Sequence, residues 1–430
     1  MKATIRTING GVTSAQGFQA AGAHVGLKRK RKDLAIVVSD CPAVMAGTFT
    51  QNTAKAPPVL WNHNINQKGE PVKALVINSG NANSCTGPIG PVHAKMMAEA
   101  LAQKLGAATE EVLVSSTGII GVPLPIDDVV KGIGIVSQEL GHDRESGKRA
   151  AEAIMTTDAY TKELAVQFEV QGKTITLGAM AKGSGMVHPN MATMLSFITT
   201  DLKISKQLLQ KALSESVNKS YNMISVDGDS STNDMVVAMA NGMAGNEELC
   251  EEDMEYHLFA DALNYLNEHL AKSIAADGEG ASKLLEVEVE GANSLEDART
   301  MARAIISSNL VKTAAFANDP NWGRIVAALG STGVPFDMTM LDISMAGNQQ
   351  SVYLVQNGTP MFVESVSVNQ ILKADQVCVT VALNQGQCSA KAWGCDLTHE
   401  YIERTCRYTS DHVIESLPKL QALIQEGEVA

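Results

Sequence analysis

Strands and helices that alternate along the chain predict an α/β or α+β protein. Three observations carry this. Short apolar runs bounded by Gly, Asn and Asp, such as DLAIVVSD and VKALVINSG, read as buried strands. Stretches between them, such as HAKMMAEALAQKL, place apolar residues at helical spacing. No repeat and no low-complexity linker interrupts the 430 residues.

From Gly17 to Thr50, glycine turns alternate with apolar runs, so strands are expected. A strand from Val72 to Ile77 runs into the polar loop Asn78, Ser79, Gly80, Asn81, Ala82 and Asn83. A helix follows from Pro91 to Leu105, then a strand from Val112 that ends in Thr117 and Gly118. Two helices come next, and the second runs out at Thr156, Thr157 and Asp158. ELAVQFEV and KTITLGAMA flank Gln-Gly and predict a hairpin. It delivers the chain to KGSGMVHPNMATMLSFITTD, Lys182 to Asp201, a glycine-rich loop that becomes a buried strand. The second half continues with a helix over SKQLLQKALSESVNKSYN, a strand over MVVAMA and a long helix from Asp253 to Ala275. After the strand KLLEVEVEG come the helix SLEDARTMARAIISSN and a short helix carrying Arg324. Three more strands, a short helix and a helical tail from Asp411 to about Glu426 end the chain.

The bulk charge excludes some partners. Thirty-four Lys and Arg against 47 Asp and Glu leave a net charge of −13, which disfavours nucleic acid and anionic membrane. The basic run KRKRK, Lys28 to Lys32, reads as a solvated loop. Seven scattered Cys without a CxxC pair indicate reduced thiols in the cytoplasm, and nine dispersed His give no metal site. The N-terminus lacks a secretory apolar segment, and no apolar run is long enough to span a membrane. The acids Asp227, Asp229 and Asp234 do not follow EF-hand spacing and read as turn and cap residues.

Three polar stations flanked by small residues remain: Thr117-Gly118, Thr193 and Glu279. Thr117-Gly118 reads as an oxyanion hole or as an ordinary strand end. Glu279 reads as a site carboxylate or as an exposed turn acid. A Thr193 nucleophile needs a base. His188 is one candidate. The other is the α-amine that cleavage after Ala192 would free on Thr193 itself, with a reference pKa of about 7.7–8.0.

The motifs GFQAAGAHVGLKRKRKDLA, VINSGNANSCTG, VLVSSTGIIGVPLP, IMTTD, MAKGSGMVHPNMATMLSFITTD, VDGDSSTND, DGEGASK, VKTAAFANDPNWGRI and AWGCDLT occur in this order over nearly the whole chain. In them the chain resembles the bifunctional ornithine acetyltransferase/N-acetylglutamate synthase family of arginine biosynthesis, the ArgJ family. The resemblance implies a self-processing fold of the N-terminal-nucleophile kind, with β-sheets sandwiched between helix layers. It implies cleavage between Ala192 and Thr193, giving an α chain of residues 1–192 and a β chain of residues 193–430 that assemble as two of each. Thr193 matches the nucleophile, Thr117 and Gly118 the oxyanion hole, and Thr156, Lys182 and Glu279 substrate contacts. The substrates implied are N2-acetylornithine and glutamate, without a resident cofactor and with acetyl-CoA as a candidate second acetyl donor. In ungapped register, Thr405 stands where the family has Asn, and Ser410 where it has a terminal Thr or Ser. The atypical tail at 411–430 then continues, with Arg407 as new charge nearby. An N-terminal-threonine amidohydrolase or aminopeptidase, or an acyltransferase with a different amine acceptor, is the alternative reading.

Overall fold

Two mixed sheets, each covered by helices, organise the chain. The computed structural model describes residues 5–188 and 194–406. In chain order the strands are β1 (Arg6–Ile8), β2 (Phe18–Ala23), β3 (Leu34–Phe49), β4 (Val72–Asn81), β5 (Val112–Ile119), β6 (Lys162–Val170), β7 (Lys173–Lys182), β8 (Leu195–Thr200), β9 (Ile224–Ser225), β10 (Met235–Ala240), β11 (Leu284–Ala292), β12 (Asp342–Gly347), β13 (Gln350–Gln356), β14 (Thr359–Pro360), β15 (Gln376–Ala382) and β16 (Cys388–Cys395). The helices are α1 (Pro57–Lys68), α2 (Ile89–Leu105), α3 (Ile126–Val136), α4 (Arg144–Ile154), α5 (Lys206–Lys219), α6 (Met254–Ala276), α7 (Leu295–Ser307), α8 (Asn309–Ala317), α9 (Trp322–Gly330) and α10 (Ser365–Leu372). A further helix covers 399–406.

The first sheet runs β1-β6-β7-β8-β10-β3-β4-β5, and β2 also pairs with β3. The long β3 serves two sets of neighbours because its register with β4 shifts between Val38 and Ala43. Its first half pairs with β2 and β4, its second with β10. In the central β10, Val236, Ala238 and Ala240 enter one core while Met235, Val237 and Met239 enter another. Successive side chains point to opposite faces, so a strand buried on both reads as an unbroken apolar run. All six residues of β8 are likewise buried. α4 packs on β2 and β3, and α5 and α6 pack on β3 and β6. Polar residues start the helices: Ser205 Oγ accepts the Leu208 N–H at α5, and Asp253 accepts those of Glu255 and Tyr256 at α6.

The second sheet runs β14-β13-β12-β15-β11-β16-β9. In β11, Val287 and Val289 are buried, while Glu286 between strand neighbours accepts the Trp393 Nε1–H at 2.9 Å. α6 reaches across from the first sheet, and its Lys272 Nζ lies 3.3 Å from Glu286 Oε2 and 5.2 Å above the Trp393 ring.

The expected hairpin is β6–β7, turning at Gln171 and Gly172 with φ of 50° and 71°. Among the elements that went unread in the sequence are α1, α8 and β16. α1 lacks a marked apolar stripe, and β16 is alanine-rich and takes its place only by pairing with distant β11. The loop expected from Asn78 is instead the end of β4, because β5 pairs with it through Ile119. Buried Asn78 is accommodated there by giving its Nδ2–H to Asn81 O at 2.8 Å and accepting the Ser116 hydroxyl at 2.6 Å. Segments 1–192 and 193–430 share the first sheet, since β8 and β10 insert between β7 and β3.

Candidate active site

Thr117, Gly118, Thr156, Lys182, Glu279 and Thr405 come from distant stretches and line one cavity of about 500 Å³. Ala192, Thr193, Arg407, Ser410 and the tail 411–430 lie outside the described residues. The chain resumes at Met194, and the register sets Leu195 opposite Lys182.

One wall is the junction of β4 and β5. Gly118 has φ of +135°, and a Cβ there would stand 2.3 Å from the Gly80 carbonyl carbon and 2.5 Å from Asn81 N. Only glycine permits this approach. Thr117 beside it is 3 % exposed. Asn81 turns its Nδ2 to Val122 O and Pro123 O at 2.9 and 3.2 Å, securing the segment beyond β5.

A second wall is the 155–158 turn. Asp158 Oδ2 accepts the Thr156 N–H at 2.9 Å, and Oδ1 accepts the Gly183 N–H at 2.8 Å. Asp158 and Asp277 grip the buried Lys162 ammonium at 2.8 and 2.6 Å. Burial would raise the Asp158 carboxyl, but the charges of Lys162 and Lys182 and these hydrogen bonds outweigh it and hold it well below the usual range. The basic run also contributes here. Arg29, Lys30 and Arg31 are exposed, as a solvated loop requires. Half-buried Lys28 instead gives its Nζ protons to Met155 O and to Lys32 O, and Arg31 reaches Thr156 O and Asp158 O, each at 3.3 Å. Burial, ahead of the opposing Asp33 charge, lowers the Lys28 ammonium to about 8. A neutral amine still has enough donors for both carbonyls.

Lys182, at 2 % exposure, forms the floor. Burial lowers its ammonium pKa; Asp158 opposes this and the Lys162 charge adds to it. A negatively charged ligand group would restore the charged form.

Glu279 is half-buried rather than a bare turn acid. Gly185 makes room for it, since a Cβ there would lie 2.6 Å from the Glu279 carboxyl carbon. The helix over 399–406 closes the opposite side. Thr405 Oγ1 donates to Glu279 Oε2 at 3.1 Å, and the Tyr401 hydroxyl donates to Asp227 Oδ2 at 3.4 Å. Asp227 also accepts the Met186 and Val187 N–H groups at 2.6 and 2.9 Å. It therefore ties this helix to the loop after β7. His188, the alternative base, is not among the cavity-lining residues; its Nδ1 lies 3.2 Å from Ser225 Oγ.

Sequence reasoning missed the 231–234 segment as a brace. Asn233 gives its Nδ2 protons to Ala82 O and Ser116 O at 2.6 and 2.9 Å, behind Thr117. Thr232 accepts the Ser84 hydroxyl at 2.8 Å, and Asp234 Oδ1 accepts the Met194 N–H at 3.0 Å. The signal lay in the density of small polar residues just before a wholly apolar strand. Those side chains must bond locally once the strand is buried.

The profile of the ArgJ family matches residues 19–410. The arginine biosynthesis bifunctional protein ArgJ of Caldanaerobacter subterraneus subsp. tengcongensis is 47% identical over 396 residues, 92% of this chain and 98% of its own. ArgJ 1 of Clostridium acetobutylicum is 47% identical over 409 residues, 95% of this chain and 100% of its own. Among solved structures, ArgJ from Bacillus halodurans is 41% identical with a TM-score of 0.43, covering 45% of this chain and 100% of its own. Ornithine acetyltransferase from Mycobacterium tuberculosis, complexed with ornithine, is 40% identical with a TM-score of 0.41, covering 43% and 98%.

Proposed function

The chain belongs to the ArgJ family, and on that premise we propose that it carries acetyl from N2-acetylornithine to glutamate through an acetyl-threonine intermediate. The observation that carries this reading is the convergence of Thr117, Gly118, Thr156, Lys182 and Glu279 on one cavity.

In the precursor, the Thr193 hydroxyl attacks the Ala192 carbonyl carbon. The C–N bond breaks as the nitrogen takes a proton, leaving an ester that water hydrolyses. The freed α-amine then serves as base for the same hydroxyl. In turnover, that hydroxyl attacks the acetyl carbonyl, and the oxyanion faces Thr117 and Gly118, a contribution of about 2.7–4 kcal/mol per donor. Ornithine leaves with the proton, glutamate enters, and its amine takes the acetyl group. Lys182 faces a substrate carboxylate and Glu279 a substrate ammonium, with Thr405 holding the Glu279 carboxylate in place. No resident cofactor is needed; acetyl-CoA is the second donor through which N-acetylglutamate would be made anew. Residues 1–192 and 193–430 form the α and β chains of an assembly with two of each. Seven free cysteines fit a reducing, cytoplasmic setting.

Purified protein is incubated with N2-acetylornithine, with and without glutamate, and its mass is measured. Two fragments meeting at Ala192 and Thr193, glutamate-dependent ornithine release and N-acetylglutamate are expected, and Thr193→Ala stays uncut and inactive. Ornithine release indifferent to glutamate, without N-acetylglutamate, would overturn the transferase reading in favour of a hydrolase.

A further inference from the structure

Residues 231–234 are nailed to their surroundings from several sides. Thr50 donates its hydroxyl to Ser231 O at 2.8 Å and its N–H to Asp234 O at 3.0 Å. The Ala56 N–H bonds Thr232 O at 2.9 Å. From this fixed base, Asn233 reaches the backbone behind Thr117, while Asp234 reaches the Met194 N–H. Asp234 is 1 % exposed.

We propose that Asp234 is a positioning residue for the acyl transfer, locking the backbone at Met194, the residue after the proposed nucleophile, to the segment that braces the Thr117–Gly118 wall. This rests on the functional reading above. The reacting hydroxyl and the oxyanion donors come from different parts of the chain, and their spacing has to hold to a fraction of an ångström. Asn233 and Asp234 are adjacent, so one rigid segment sets both. What Asp234 contributes is an acceptor oxygen at a fixed place rather than a charge. Burial pushes its carboxyl well above the usual range despite the Met194 N–H, the Lys182 charge and the hydrogen bonds from Ser231, and a carboxyl oxygen accepts that N–H in either protonation state.

Two variants separate placement from charge. Asp234→Asn retains the acceptor at its position without an ionisable group. Asp234→Glu retains the carboxyl but moves it by one methylene. Asp234→Leu replaces the Glu variant if the latter does not fold. Self-cleavage half-time, kcat and KM are measured on full-length protein, with circular dichroism to confirm folding. The Asn variant is expected to cleave and turn over within a few-fold of wild type. The Glu or Leu variant is expected to lose on the order of 10²-fold in kcat with KM little changed. An inactive but folded Asn variant, or three indistinguishable enzymes, overturns the proposal. A wild-type protein that neither cuts nor transfers would instead remove the functional reading beneath it.

Discussion

Replacing Gly118 by alanine tests whether the β4–β5 junction is the oxyanion wall. At φ of +135° a Cβ would lie 2.3 Å from the Gly80 carbonyl carbon and 2.5 Å from Asn81 N. Both are backbone atoms, so no side chain can swing aside. Ordinary contact begins at 3.4 Å, and the two strand ends must therefore part by about an ångström. The unfavourable backbone adds about 1–3 kcal/mol of strain. Oxyanion donors act only within about 2.7–3.1 Å of the developing charge, so such a shift removes a donor's contribution, about 2.7–4 kcal/mol or 10²–10³ in kcat. Gly121→Ala is the control: it also has positive φ, +83°, but nothing lies within 4 Å of its Cβ. It should lower Tm without lowering kcat comparably. Acetyl transfer from N2-acetylornithine to glutamate is measured at saturating substrate beside thermal unfolding. A folded Gly118→Ala enzyme whose kcat matches that of Gly121→Ala would refute the assignment.

Lys162→Met leaves Asp158 and Asp277 buried without their shared cation. It should cost about 3–5 kcal/mol, read as a Tm lowered by about 3–6 °C; an unchanged Tm would show the triad to be dispensable. Asp158→Asn tests the sign of the electrostatics. Because the folded Asp158 pKa is depressed, its stabilisation is complete above the unfolded value near 3.8 and is lost as pH falls through the folded value. The Tm gap between wild type and the variant should therefore be widest near neutrality and narrow in strong acid; a gap that widens on acidification contradicts the assignment.

The residues that line the cavity were more legible than the architecture around them. Thr117-Gly118 and Glu279 stood out because glycine beside a polar residue marks a backbone under special demands, whereas Thr156 and Lys182 were named by the family resemblance alone. Their meeting in one cavity follows from β4–β5 pairing and from the approach of Gly185 to Glu279, which no local pattern specifies. The Asp158–Lys162–Asp277 triad escaped notice because Asp277 lies 115 residues from Lys162. A charge read along the sequence looks solvated until its partner arrives from elsewhere in the fold. Lys28 shows the same thing within the basic run: Arg29 and Lys30 beside it are exposed, while its own stem lies 3.1 Å from where a Cβ on Gly80 would stand. β16 was invisible because Cys388–Cys395 lacks the β-branched density of its partner β11, and non-local pairing supplied what propensity did not.

The placement of β8 between β7 and β10 has a consequence for the life of the protein after it is made. A cut between residues 192 and 193 would leave two pairs of neighbouring strands, β7–β8 and β10–β3, on separate polypeptides, joined by their ladders, by side-chain bonds such as Lys162–Asp277 and by the cores on either side. Folding before the cut is unimolecular; reassembly after it is a bimolecular search. The mature form would then be a one-way product, persisting through a slow unfolding rate rather than an equilibrium it could re-establish at cellular dilution. Its lifetime in the cell would be set by the first complete unfolding, and damage to it would be repaired by new synthesis.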